Sequence, residues 1–307
     1  MLYIPKIDRE EGILDGVIDI HCHAGPCIFA KDLDEIELAK IMKSVGYRGV
    51  LFKQHLLGAN RIEYVRQAVP GIEIFGGITL NHYVGGLNPY AVASCITFGG
   101  KEVKFPNVHA QHHLNVFGKG GYAAIGIDRA DSASIAEKIE QMTKGITIFD
   151  EKEKLLPEVH TILELVAEAD IGVETGHLAP KESMALIKAA KQAGVKKIWI
   201  THVNWYSLFQ YSPEDIVELA DQGALIEVTA AFSIPSYEAE KEFKYTAQII
   251  KAVGAHRCIM GTDFGSGGRY NPIEGMRIFI RTMMREGIKK DEIDLMTKEN
   301  PAVVLGL

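Results

Sequence analysis

Five residues could hold a metal ion: His21 and His23 in IDIHCHAG, His177 in VETGH, His202 in IWITHVN, and Asp263 in IMGTDFG. Each comes at or just after a short apolar run. In an extended strand side chains alternate, so His21 and His23 share a face with Asp19, and Cys22 points away. Two imidazoles two residues apart can clamp one divalent ion. HxH alone is a weak signal; the preceding Asp19 and the small-residue turn Ala24, Gly25, Pro26 strengthen it. By the same alternation His177 goes with Thr175 and Val173. Glu174 falls on the opposite side, towards a helix layer, and is a lesser candidate. His202 follows Ile200 and Ile198, and Asp263 follows Gly261 and Ile259, each as an inward-facing set. Any one of these reads as a hydrogen-bonded structural residue. Together they read as strand ends meeting at one mouth.

A second group is balanced evenly between metal or substrate contact and plain loop packing. Lys53 and His55 share parity at the end of the second strand. A buried Lys53 needs a carboxylate partner or a metal-linked role, and Glu227 is a partner by inward parity. His82 ends the third strand, and His109, His112 and His113 follow the fourth. Glu174 completes the set of second-metal or substrate-contact candidates with Lys53, His55, His82, His109 and His113. His160 lies in an amphipathic helix and His256 precedes the last strand, so both read as structural. Tyr122, Arg129 and Arg269 are loop candidates for an anionic group, with solvation the leading reading of each.

Imidazoles with one carboxylate suit one or two divalent ions, zinc first, with manganese, iron or nickel as alternatives. Such an ion lowers the pKa of a water towards ~7. Asp263 would orient that water and take its proton.

The elements that must position these residues alternate along the chain. Apolar runs at Ile13–Ile20, Gly49–Gln54, Ile72–Leu80, Glu102–Val108, Ile171–Thr175, Lys197–Thr201, Ala224–Thr229 and Cys258–Thr262 are separated by amphipathic helical segments. Eight strands with intervening helices predict one (β/α)₈ TIM barrel, α/β in class, over residues 1–307. No GxGxxG follows the first strand, which argues against a doubly wound sheet. The connection after strand four is too long for a barrel loop. Residues 109–156 form a predicted insertion, read as a lid, with a short helix at Ser132–Met142 and a hairpin in GITIFDEKEKLL.

Composition agrees with a globular enzyme. The 307 residues are 47% hydrophobic and 24% charged, which excludes a disordered chain. Thirty-three basic against forty acidic side chains give a net charge of -7, which argues against nucleic-acid or anionic-membrane partners. Cys22, Cys27, Cys95 and Cys258 form no CxxC pair, so a cysteine metal cage or redox motif is not expected. The charged start MLYIPKIDREEG lacks a signal-peptide core, which makes the cytoplasm the expected location. A small-molecule substrate and a homo-oligomer are the expected partners.

DIHCHAG, His177, His202, GTDFG and the ending ENPAVVLGL resemble the amidohydrolase superfamily of metal-dependent barrel hydrolases. HAGP, the Lys-x-His of strand two, GGITLNHYVGGLNP and TGHL are similar to a poorly characterised amidohydrolase-like family of prokaryotes. The resemblance implies a metal-dependent hydrolase of a small amide, lactone, ester or cyclic amide. It implies His21, His23, His177, His202 and Asp263 as ligands, with Asp263 also handling the proton of the attacking water. Binuclear members often bridge two ions with a strand-four Lys or Glu. Here Lys104 is out of parity, and His109 or His113 is the expected substitute. The alternatives are a phosphoesterase of the polymerase-and-histidinol-phosphatase type, a metal-dependent decarboxylase, and a non-catalytic metal-binding barrel.

Overall fold

The computed structural model describes residues 12–119, 143–233, 240–266 and 271–307. Eight strands arise from the eight apolar runs: β1 (Ile18–Cys22), β2 (Gly49–Phe52), β3 (Glu73–Gly76, resumed at Ile78–Thr79), β4 (Glu102–Lys104), β5 (Gly172–Glu174), β6 (Lys197–Ile200), β7 (Leu225–Thr229) and β8 (Cys258–Gly261). They pair in sequence order, all parallel. β3 breaks at Gly77, where an added Cβ would meet Glu102 O at 2.6 Å. Main-chain bonds span that break: Lys101 N–H donates to Gly76 O (2.9 Å) and Leu80 N–H to Lys104 O (2.9 Å). Between β8 and β1, Asp263 N–H donates to His21 O (2.6 Å) and His23 N–H to Phe264 O (2.8 Å). The sheet is therefore a closed barrel, as the eight-run pattern predicts.

The helices are α1 (Glu35–Ser44), α2 (Ile62–Ala68), α3 (Pro89–Thr97), α4 (Gln111–Phe117), α5 (Pro157–Glu168), α6 (Pro180–Gln192), α7 (Tyr206–Phe209), α8 (Pro213–Asp221), α9 (Glu240–Val253), α10 (Pro272–Arg285), α11 (Lys290–Asp294) and α12 (Asn300–Leu305). Their starts are written locally. Asp34 and Glu37 close a capping box on α1. Proline opens α3, α5, α6, α8 and α10, where its missing N–H is harmless. No described helix is long and apolar enough to cross a membrane.

Strand alternation sorts the apolar side chains into two layers. Val50, Phe52, Val103, Phe105, Val173, Ile198, Ile200, Ile226 and Val228 pack outward against the helices. Ile18, Ile20, Leu51, Phe75, Trp199 and Ile259 fill the barrel floor, with Ala302, Val304 and Leu305 of α12. This sorting corrects three expectations. Ile198 and Ile200 face the helices, and Trp199 faces in. Val173 faces out, so Glu174 faces in. Val103 and Phe105 face out, so Lys104 faces in as well.

Of the predicted insertion, the hairpin is present: Phe149 and Leu155 pair antiparallel, and Leu156 N–H donates to Ile148 O. The predicted helix Ser132–Met142, Tyr122, Arg129 and Arg269 lie outside the described residues.

Candidate metal centre

The five candidate ligands meet at one end of the barrel. Asp263 Oδ1 lies 3.0 Å from His23 Nε2 and 3.3 Å from His21 Nε2. His177 Nε2 lies 3.2 Å from His202 Nε2, and the His21 and His202 ring centroids are 5.6 Å apart. The strands deliver these residues by leaving regular geometry. The β1–β2 register slips between Asp19 and Cys22, so Ile18 and Ile20 fill the floor and His21 still reaches the mouth. β5 ends at Glu174, and Gly176 turns the chain at φ +62°; a Cβ there would sit 2.2 Å from Phe105 O. β6 ends at Ile200, and His202 has φ +22°, with its N–H held by Glu227 Oε2 at 2.8 Å. Asp263 has φ +55°. Asp19 does not join the cluster. Its carboxylate accepts from Thr262 N–H (3.0 Å), Thr262 Oγ1 (2.6 Å) and His21 N–H (3.1 Å), tying β1 to β8.

Hydrogen-bond partners fix which ring nitrogens are lone-pair donors. His23 Nδ1 lies 2.9 Å from the Lys53 carbonyl, which can only accept, so Nδ1 carries the hydrogen. Nε2 is then a bare lone pair facing Asp263. Burial first, and then the charge of Lys31, brings the His23 pKa down to about 3. Burial, with Lys104 nearby, brings His21 down to about 3, and burial brings His202 down to about 3. Asp263 Oδ1 faces the Nε2 atoms of both His23 and His21. Imidazole lone pairs thus crowd a carboxylate oxygen, an arrangement that calls for a cation. Two ligands ~2.0–2.1 Å from one tetrahedral zinc lie ~3.3–3.4 Å apart, close to the 3.0, 3.2 and 3.3 Å separations here. The residues present fit a divalent ion.

Beneath the donors lies a buried ionic layer. Lys53 Nζ bonds Glu102 Oε1 at 2.6 Å and also Glu174 Oε2, and sits 5.3 Å above the Trp199 ring centre. Lys104 Nζ is 3.4 Å from Glu174 Oε1 and 3.4 Å from His21 Nε2. Glu227 Oε1 lies 2.9 Å from His21 Nδ1. Glu227 is thus inward as expected, but its contacts are with His21 and His202; the contacts of Lys53 are Glu102 and Glu174. The sequence reading missed Glu102. Its signal is present, because in EVKF two charged residues alternate with two apolar ones.

The remaining candidates divide. His55 stacks on His23 with ring centres 5.2 Å apart, and its Nδ1 is 3.3 Å from Cys27 Sγ. His113 stacks behind His177, with Nδ1 to Nδ1 at 2.8 Å. His82 is exposed and its Nε2 contacts Lys144 O at 2.7 Å, away from the donors. His109 is buried, accepts from His82 N–H through Nδ1 and packs on Tyr83. Neither His82 nor His109 is brought to the donor cluster.

A family model described as a family of unknown function, DUF6282, matches residues 16–227. No curated protein matches the chain. Solved structures similar to it include an amidohydrolase from Pseudomonas aeruginosa, 14% identical, with TM-score 0.61 over 97% of this chain and 98% of that one. A phosphotriesterase homology protein from Escherichia coli, complexed with phosphate in its active site, is 16% identical, with TM-score 0.55 over 95% and 99%. A variant of an organophosphorus hydrolase from Deinococcus radiodurans is 13% identical, with TM-score 0.55 over 96% and 94%. These structures share the barrel fold of this chain.

Proposed function

We propose that this chain, which belongs to the DUF6282 family of unknown function, is a metal-dependent hydrolase of small molecules. The observation that carries this reading is the crowding of His21 Nε2 and His23 Nε2 on Asp263 Oδ1 at the open end of the barrel. His21, His23 and Asp263 would hold one ion. His177 and His202 would supply ligands to a second beside it. Lys104 stands at the strand-four place from which binuclear superfamily members bridge two ions. The donor set suits zinc, with manganese, iron or nickel as alternatives. Bound there, a divalent ion supplies Lewis acidity and a water acidified towards pKa ~7.

The chain's own residues supply the rest. The Asp263 side chain is 15% exposed, against 1% for His21 and 7% for His23. It is the carboxylate open to the mouth, and so the group to take a proton from an attacking water and return it to the leaving group. Glu227 and the Lys53 carbonyl orient His21 and His23. The substrate bond is that of an amide, lactone, ester or cyclic amide, as in the superfamily the barrel resembles. A cytoplasmic location goes with this reading and with four free cysteines.

The test is a screen of amides, lactones and phosphate esters with metal-reconstituted protein, repeated with Asp263→Asn. General acid–base catalysis contributes ~10²–10⁴-fold, so turnover should fall by at least that order with smaller change in substrate affinity. Near-normal turnover by the variant would sink the assignment of Asp263. Turnover confined to phosphate esters would move the reading to a phosphoesterase.

A further inference from the structure

The four histidines differ in what stands behind them. His21 Nδ1 faces the Glu227 carboxylate at 2.9 Å, and His23 Nδ1 faces the Lys53 carbonyl at 2.9 Å. His177 Nδ1 faces another imidazole, His113 Nδ1, at 2.8 Å. His202 Nδ1 is buried with no hydrogen-bond partner among the described residues. A ligating histidine gains basicity and a fixed ring from the acceptor its other N–H meets, and loss of that acceptor lowers metal affinity about 10–100-fold. A carboxylate is the strongest such acceptor here, a carbonyl next, a neutral imidazole weaker, and an absent partner weakest.

The tautomers follow from the short Nδ1–Nδ1 contact, in which one nitrogen must carry the hydrogen. With His177 Nε2 turned to the His202 Nε2 at 3.2 Å as a lone-pair donor, the hydrogen is on His177 Nδ1. His113 Nδ1 then accepts it and His113 carries its own hydrogen on Nε2. The His113 ring stacks on His177 at 4.8 Å and also packs on Phe117, so its position is set by α4. α4 belongs to the connection after strand four, whereas the acceptors behind His21 and His23 belong to barrel strand β7 and the end of β2.

We propose that His113 is the positioning residue for His177, and that the ion held by His177 and His202 is the weakly bound, exchangeable one of the two. The inference rests on the metal-dependent reading above. The ion at His21, His23 and Asp263 has a carboxylate among its ligands and an oxygen acceptor behind each imidazole. Among the described residues the second position has neither on its two histidines. The protein therefore carries one resident ion and one that equilibrates with the surrounding pool, and His113 sets where that equilibrium lies.

The test is zinc titration of metal-stripped protein against a chromophoric chelator, with bound ions counted by native mass spectrometry. Wild type should take up two zinc ions in two steps at least about tenfold apart. His113→Leu should weaken the second step by about 10–100-fold and leave the first unchanged. In His113→Asn the side-chain oxygen stands where Nδ1 stood, so the second step should stay near wild type. His113→Asp, with a charged acceptor at the same place, should tighten it. A purely structural His113 would not give this order, since both polar replacements would then weaken binding as Leu does. Two steps of equal affinity, a single ion at excess zinc, or identical behaviour of Leu and Asn would overturn the inference and leave the hydrolase reading standing. A protein that takes up no zinc would overturn both.

Discussion

Removing Lys53 should destabilise the barrel strongly, and more so as pH rises. Burial alone would lower the Lys53 ammonium, but Glu102 and Glu174 more than offset it and hold its pKa above the usual range. Lys53, Glu102 and Glu174 are each no more than 3% exposed. Lys53 is the ammonium bonded to both Glu102 and Glu174. Lys53→Met keeps the side-chain length over Trp199 and leaves the buried Glu102 and Glu174 carboxyls without that ammonium. Breaking a buried pair from one side costs about 3–5 kcal/mol.

The sign of the pH dependence separates this from a packing effect. The folded variant answers the loss of the ammonium by keeping a proton on a buried carboxyl, whereas in the unfolded chain the same group is ionised above the usual glutamate range. The folded state then binds the extra proton, so the variant loses stability relative to wild type as pH rises, by at most about 1.4 kcal/mol per pH unit. Urea denaturation of metal-free protein between pH 6 and 8 measures this. Adding Glu102→Gln removes one of the stranded carboxylates and should restore part of the loss. The main-chain carbonyl of Lys53 still backs His23, so the first metal position should persist. A loss below about 1 kcal/mol, or one that does not change with pH, would refute the reasoning that the layer is held by charge balance.

Other outcomes follow from the same geometry. His21→Ala with His23→Ala should lose at least one bound ion by elemental analysis with little change in the far-ultraviolet circular dichroism; unchanged ion content would place the metal elsewhere. Burial holds His21, His23 and His202 at about 3, so below about pH 6.5 the unfolded chain binds protons that the folded one refuses. Metal-free protein should therefore lose stability steadily from pH 6.5 towards 3, and a thermal midpoint that is flat over that range would contradict the neutral-imidazole assignment. Gly176→Ala puts a Cβ against Phe105 O at φ +62°, and backbone strain of that kind costs about 1–3 kcal/mol. It should lower the melting temperature and weaken zinc binding at His177, and a variant as stable as wild type would contradict the strained turn.

The barrel was legible because each strand is an apolar run and each helix has its own start signal, both local properties. The ligand set was legible for a related reason. His21, His177, His202 and Asp263 each come at or just after an apolar run, and in a parallel barrel those ends share one mouth. What failed was counting parity backwards from the ligands. The count assumes that the strand continues to the ligand. β5 stops at Glu174 and β6 at Ile200, and the turns at Gly176 and His202 break the alternation before each histidine is reached. One such break reverses every residue upstream, which is how Glu174 was placed on the wrong side and Ile198 and Ile200 were placed inside. β8 ran in step through Ile259 and Gly261, so Asp263 was placed correctly.

The ionic layer was hidden for a different reason. Whether a charged residue in a strand faces water, helices or the barrel interior depends on neighbours distant in sequence. Lys53, Glu102 and Glu174 come from β4, β5 and the residue after β2, and each alone reads as a misplaced charge in an apolar run. Only their meeting makes the burial tolerable, because an unpaired buried charge costs far more than a paired one. A single charged residue inside a strand is thus evidence for a partner in another strand, without saying which. The need for a carboxylate near Lys53 could be deduced; its identity required knowing that β4 and β5 lie side by side, with Lys104 paired to Glu174 in register. That same pairing sets Lys104 against both Glu174 and His21, so the charge balance of the layer and the donor strength of the metal centre are coupled through one side chain.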